Sequence, residues 1–187
     1  LIRNIWQWGQ YMNKINIYWL IRNHVSSLKI DGETSLSRMD ICLHFIFPLV
    51  AAFITCYFFK VMPTPVVGIM VNFGSITTAL LMSAVVMVYD QKSKIIEKRE
   101  REKEKGENSV EDKIKTYTKN ISLYKELCRN ICFAILTSII IVILSAILSF
   151  YDTSIKGFIY MSFFTLLSFF CYAFFISTMI TFLMILK

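Results

Sequence analysis

Residues 91–129, QKSKIIEKREREKEKGENSVEDKIKTYTKNISLYKELCR, decide the fold, because this charged stretch separates two strongly apolar pairs of segments. Its first arm, EKREREKEK at residues 97–105, has no apolar residue, and opposite charges three and four residues apart favour a solvated helix. Gly106 and Asn108 then interrupt the helical pattern, and Ser109 with Asp112 has the character of a capping box. The stretch therefore predicts a helical hairpin that stands off a membrane.

The second arm of the hairpin carries an apolar stripe, with the alternating spacing of four and three residues that places side chains on one helix face. Its members are Val110, Ile114, Tyr117, Ile121, Tyr124, Cys128 and Ile131. The stripe either packs onto the first arm, which offers only Ile95 and Ile96, or forms an oligomer or docking surface. We take Val110 to Cys128 as a candidate partner or oligomer interface.

The composition indicates a membrane protein. Hydrophobic residues make up 56% of the 187 residues, and the mean hydropathy is +0.56. The net charge of +7 is concentrated beside the apolar segments, which is typical of topology signals, and no direct binding of nucleic acid is expected. The five Cys form no CxxC pair, so neither a metal site nor any other cofactor is expected.

The order of apolar and polar segments predicts an all-α integral membrane protein with four transmembrane helices. The predicted spans are residues 41–59, 66–89, 131–151 and 157–186, and Pro48 is expected to kink the first. The corresponding division is a leader (1–40), a first transmembrane pair (41–89), the hairpin (90–130) and a second transmembrane pair (131–187).

The leader predicts an amphipathic helix at the membrane interface. It contains all three tryptophans, Trp6, Trp8 and Trp19, whose rings are suited to anchoring in the headgroup region. A strand-like alternation from Ile15 to Ile21 is the competing pattern.

The positive charges predict the orientation. Of the twenty Lys and Arg residues, five lie in the leader, twelve in the central stretch and one at the C-terminus, while the two short turns hold only Lys60 and Lys156. By the positive-inside rule, both termini and the hairpin are expected in the cytoplasm.

Small and polar residues mark one face of the second span and one of the third. The first set is Gly68, Asn72, Ser75, Ala79 and Ser83, and the second is Ala134, Ser138, Ser145 and Ser149. Small residues let helices approach closely, so we expect the two faces to meet. Asn72 is interpreted either as an interhelical hydrogen-bonding group in the bundle or oligomer, or as a pore-lining group. His44 is expected to snorkel or to bond within the helices.

Catalytic motifs are absent from the sequence. It contains no P-loop, GxSxG, HExxH or GxGxxG pattern, and the acidic residues are concentrated in the solvated hairpin. We therefore expect the protein not to be an enzyme.

The layout resembles the small membrane subunits of bacterial Kiwa-type anti-phage systems. The features concerned are the approximate length, the polar leader that ends in SLSRMD, the KVMPTP turn at residues 60–65, and the charged hairpin. The resemblance implies a homo-oligomer, a tetramer, in the bacterial inner membrane. It also implies that this oligomer senses perturbation of the envelope and scaffolds a soluble DNA-binding partner.

Three functional hypotheses follow from the sequence. The first is a membrane sensor and scaffold that recruits a cytosolic protein, and the apolar stripe favours it. The second is a pore-forming effector in which Asn72, Ser75, Ser138 and Ser145 line a weakly polar path. The third is an accessory subunit of a transporter, against which the absence of charged residues within the spans counts.

Overall fold

The computed structural model describes Ile21 and residues 42–104, 110–151, 155 and 157–186. All regular structure within these residues is helical: a π-helical turn Cys42–Ile46, then α1 (Phe47–Phe59), α2 (Thr64–Glu104), α3 (Val110–Leu148) and α4 (Phe158–Leu186). With the π-helical turn and α1 taken together as one segment, four segments are long and apolar enough to cross a membrane. The prediction of an all-α protein with four candidate transmembrane helices is confirmed.

The first span begins irregularly. The π-helical turn Cys42–Ile46 precedes α1, and Pro48 lies in the first turn of that helix. Proline has no N–H to donate and its ring clashes with the carbonyl four residues earlier, so a widened turn before Pro48 relieves both problems. A widened turn thus lies directly before Pro48, and the kink predicted at this residue stays a prediction.

Helices α2 and α3 continue without a break from the apolar spans into the charged hairpin. They contain 41 and 39 residues, which corresponds to roughly 60 Å each, twice the thickness of a hydrocarbon core. The predicted span boundaries at Tyr89 and Ile131 thus fall inside continuous helices. The interruption predicted at Gly106, Asn108 and Ser109 lies at residues 105–109, outside the described residues.

The four helices pack mainly in the order α2, α3, α4, α1. Helix α4 also reaches α2, where the rings of Phe73 and Phe175 make an edge contact at 4.8 Å between centroids. A larger core fills the end of the bundle remote from the hairpin, and a smaller one surrounds Leu81, Ile131 and Ala134. The outer faces of α1 and α2 remain exposed and apolar, as a surface that contacts lipid requires.

Candidate functional site

The apolar stripe of α3 packs along α2. Ile121 and Ile131 are 5% and 1% exposed, whereas Ile114, Tyr117 and Tyr124 are only half-buried. Cys128 is also half-buried and lies close enough to Lys92 of α2 for the charge to act on its thiol. The stripe therefore packs onto the neighbouring arm, which is the first of the two predicted alternatives. Much of the stripe nevertheless remains accessible to solvent. The side chain of Val110 is not among those described.

The row of α2 residues that faces this stripe, here called the α2 seam, changes from apolar to polar along the helix. At the membrane end it is apolar, with Leu81, Val85 and Val88 in or against the smaller core. The same spacing of four and three residues then continues through half-buried Lys92, Ile95, Arg99 and Glu102. Within the hairpin, therefore, a largely polar seam faces an apolar stripe.

Arg99 shows the consequence of this mismatch. Its Nε atom is shielded from solvent and has no hydrogen-bond partner among the described residues. A buried polar group without a partner loses its hydration without compensation, typically at a cost of about 1–3 kcal/mol. The contact between the arms is thus weaker than an apolar seam of the same length would provide.

The solvent-facing sides of the hairpin carry ion pairs one helical turn apart. Lys94 pairs with Asp90 at 2.7 Å, Lys115 with Glu111 at 3.0 Å, and Arg101 with Glu97. Such exposed pairs contribute only about 0.3–0.5 kcal/mol each, but they support helix in an arm without an apolar face. The pairing of Glu97 with Arg101 has the spacing on which the prediction for the EKREREKEK arm rests, and its stabilising effect stays a prediction.

The small-residue face of α2 points away from the other described helices. Its members Gly68, Asn72, Ser75, Ala79 and Ser83 are all exposed. The expectation that this face meets the small-residue face of the third span within one chain is wrong. Its neighbouring face makes the contact instead, through Val67, Met70, Gly74, Thr77 and Leu81.

Gly74 explains why this face of α2, and not the small-residue face, packs against α3. A Cβ atom at this position would lie 2.6 Å from Val142 Cγ2 and 3.0 Å from the Ser138 carbonyl oxygen, whereas a Cβ at Gly68 would meet nothing within 4 Å. At Gly74, therefore, α2 approaches α3 so closely that no side chain would fit between them. Ser138 of α3 does face α2, as expected, but it lies opposite Gly74.

Asn72 presents an amide on the outer face of α2. It is exposed, and it has no hydrogen-bond partner among the described residues. It lies about 12 Å along the helix from Thr64, at a depth where water is scarce. An amide in that position favours a partner beyond the described residues, because an unsatisfied polar group in hydrocarbon is costly.

A line of buried polar side chains runs between α3, α4 and the start of α1. Its members are His44, Thr137, Ser145, Ser168, Cys171, Thr178 and Thr181. Thr178 donates to Thr137 Oγ1 at 2.8 Å, and the Ser145 hydroxyl lies 3.3 Å from Cys171 Sγ. These contacts tie the two central helices together.

The two ends of this polar line hold the first span and the first turn. At one end the Thr181 hydroxyl lies 3.5 Å from His44 Nε2, and His44 is only 5% exposed. At the other end Met62 donates its backbone N–H to Ser168 Oγ at 3.0 Å. His44 is thus enclosed by the bundle and does not snorkel.

The sequence analysis missed the polar line on α4, although a signal was present. Ser168, Cys171, Thr178 and Thr181 follow one another at intervals of three, seven and three residues, which places them on one helix face. The aromatic residues between them mask this periodicity, so the sequence pattern indicates a uniformly apolar fourth span. The pattern becomes visible only when hydroxyl and thiol positions are counted separately.

The tryptophans of the leader and the cysteines are the remaining predicted residues. Trp6, Trp8 and Trp19 lie outside the described residues. In the part of the chain that the structure describes, no three His, Cys, Asp or Glu side chains come together as metal ligands. Cys128 and Cys132 are both half-buried thiols on α3.

Comparison with known proteins found no matching protein family, no similar curated protein and no similar solved structure.

Proposed function

We propose that this chain is a homo-oligomeric membrane scaffold that recruits a soluble protein through its hairpin. In the proposed orientation, the hairpin and both termini lie in the cytoplasm. The distribution of charge supports this orientation, since only Lys60 and Lys156 of the twenty Lys and Arg residues fall in the opposite turns.

The observation that carries the proposal is the mismatch between the two arms of the hairpin. The α3 stripe keeps Tyr117 and Tyr124 half-exposed, because the opposing α2 seam contains Lys92 and Arg99. A partner helix with an apolar face would bury more of the stripe than α2 does. The stripe therefore fits a docking surface for an amphipathic helix of a soluble protein.

The outer face of α2 supports the homo-oligomer. Gly68, Ser75 and Ala79 expose a surface on which another helix can approach closely, and Asn72 on the same surface needs a hydrogen-bonding partner. A second copy supplies the same amide, so two Asn72 side chains can satisfy each other. Because α2 continues to Glu104, assembly in the membrane would also fix the spacing of the hairpins.

The resemblance in layout to Kiwa-type membrane subunits supplies the biological setting of the proposal. In this proposed setting, the protein is a tetramer in a bacterial inner membrane that responds to perturbation of the envelope during phage infection. The recruited protein would then be a DNA-binding subunit. The KVMPTP turn and the charged hairpin are the features that support this setting.

The test is purification of the tagged protein from its own host in mild detergent, followed by mass photometry and identification of copurified proteins. We expect a stoichiometric soluble partner that is lost from the Tyr117→Ser/Tyr124→Ser variant. Leu123→Ser is the matched control, because Leu123 is apolar, 47% exposed and on another face of α3. Loss of the partner from the control but not from the double variant would refute the stripe as the docking surface.

A pore is the second candidate function, and the exposed polar face of α2 favours it. The four residues predicted to line a pore do not share one surface. Ser138 and Ser145 are fully buried, whereas Asn72 and Ser75 face outward. A pore would have to be lined by α2 alone in an oligomer. Conductance across liposomes that Asn72→Leu abolishes would favour this function over the scaffold.

A further inference from the structure

An apolar groove lies between α1 and α4 at the end of the bundle remote from the hairpin. It has a volume of about 570 Å³, within the range of small-molecule sites. Phe53 and Tyr57 of α1 form one wall, and Phe158 and Leu166 of α4 form the other. The groove opens to the outside of the bundle at hydrocarbon depth, where acyl chains are the surrounding solvent.

Lys60 lines this groove directly after the last residue of α1. It is the only Lys, Arg, Asp or Glu between Cys42 and Asp90, and it forms no ion pair with the described residues. Lys60 is exposed, and a lysine beside hydrocarbon extends its ammonium toward the headgroup layer. A positive charge without an acidic partner among the described residues therefore lines an apolar groove.

The backbone at Lys60 is held in an unfavourable conformation. Its φ of 53° is the only positive value at a non-glycine residue in the described part of the chain, and its N–H donates to the Cys56 carbonyl at 2.8 Å. Such a conformation normally favours glycine and costs a side-chain-bearing residue of order 1–3 kcal/mol. The chain thus keeps a lysine where glycine would be more stable, which indicates a role for the ammonium.

We propose that the groove binds one acyl chain of an anionic phospholipid, whose phosphate pairs with the Lys60 ammonium. The apolar walls match the chain, and the unpaired cation matches the charge of the headgroup. Ser162, which also lines the groove, offers a hydroxyl to the same lipid. The proposal requires only that the chain lies in a bilayer, and it is independent of the scaffold function.

The proposal is tested by native mass spectrometry of the full chain in detergent, titrated with palmitoyl-oleoyl phosphatidylglycerol or with the corresponding phosphatidylcholine. We expect one tightly bound lipid per chain and a preference for phosphatidylglycerol of about fivefold, the effect of one lysine near the membrane surface. Absence of any preference in the unaltered chain would overturn the proposal.

Two variants separate the headgroup contact from the groove. Lys60→Gly should remove the preference for phosphatidylglycerol while it leaves the fold at least as stable, since glycine relieves the positive φ. Ser162→Trp should fill the groove and abolish binding of both lipids. The control Lys94→Gln removes a lysine at the other end of α2 and should change neither result. A preference that survives in Lys60→Gly, or full binding in Ser162→Trp, would refute the site.

Discussion

Thr178 of α4 donates a hydrogen bond to Thr137 Oγ1 of α3 at 2.8 Å, and neither side chain is more than 1% exposed. Thr137 can donate in turn to the Ala134 carbonyl at 3.0 Å, so a short chain of hydrogen bonds crosses from one helix to the other. Interhelical hydrogen bonds of this kind are among the few directional interactions available between helices in hydrocarbon. This pair therefore fixes the register of the two central helices.

The Thr178→Val variant should destabilise the folded protein by about 0.6–1.7 kcal/mol, because it removes the interhelical hydrogen bond without a change of shape. Unfolding in mixed detergent micelles measures this difference. Thr55→Val is the control, since the Thr55 hydroxyl bonds only to the Ala51 carbonyl of its own helix. Equal destabilisation by the two variants would contradict the assignment of Thr178 as an interhelical contact.

Gly74→Ala should separate α2 from α3 and destabilise the protein by about 1–3 kcal/mol, because its new methyl group meets Val142 and the Ser138 carbonyl. Thermal unfolding in detergent measures this loss. Val142→Ala combined with Gly74→Ala should restore part of it, by removing the closer of the two contacts.

Gly68→Ala provides the matched control on the same helix. A Cβ at Gly68 meets nothing within 4 Å, and alanine is the better helix former by roughly 0.5–1 kcal/mol. The unfolding temperature of this variant should be unchanged or slightly raised. A similar loss in both glycine variants would show that helix propensity, and not the contact at Gly74, controls the outcome.

The correction at α2 shows how far the sequence could predict the helix contacts. The spans and the hairpin followed from the positions of charged residues, because charge is excluded from hydrocarbon so strongly that local sequence suffices. Which side of α2 meets α3 is a different question, since Gly68 and Gly74 lie on different faces of one helix and each offers a position without a side chain. The choice depends on the shape of α3 around Val142, and no local pattern in α2 contains that information.

Arg99→Leu should stabilise the hairpin and weaken recruitment of a partner. Arg99 has a buried Nε without a hydrogen-bond partner among the described residues, and leucine would offer the stripe of α3 an apolar side chain instead. Similar replacements of buried polar groups are often stabilising. Hydrogen exchange of hairpin amides should slow severalfold. Lys98→Leu, at an exposed position one residue earlier, should leave the exchange unchanged; slowing in that variant too would indicate a general effect of added hydrophobicity.

Asn72→Leu should weaken self-association between about fivefold and thirtyfold, the range for losing one polar contact between membrane helices. Mass photometry over a dilution series measures the dissociation constant. Ile76→Leu keeps an apolar residue one turn further along the exposed side of α2 and serves as the control. An unchanged oligomer in the Asn72 variant would show that the outer face of α2 is not the interface.

Ser93→Cys and Thr64→Cys should become accessible to a membrane-impermeant maleimide from opposite sides of the membrane. Both positions are exposed, Ser93 in the hairpin and Thr64 at the start of α2. In intact cells only the Thr64 variant should react, because the proposed orientation places the positively charged hairpin in the cytoplasm. Labelling of Ser93→Cys from outside would reverse the proposed orientation.

Because α2 and α3 continue without a break from the apolar spans into the hairpin, the hairpin moves rigidly with the spans. From Tyr89 to Glu104 the arm extends about 22 Å, so a change of 10° in the tilt of the helix pair would move the tip by roughly 4 Å. Helix tilt responds to the thickness of the bilayer. A change in bilayer thickness that leaves the packing around Gly74 intact would therefore move the far end of the arm. This displacement would be close to the distance between two hydrogen-bonded strands of a β-sheet.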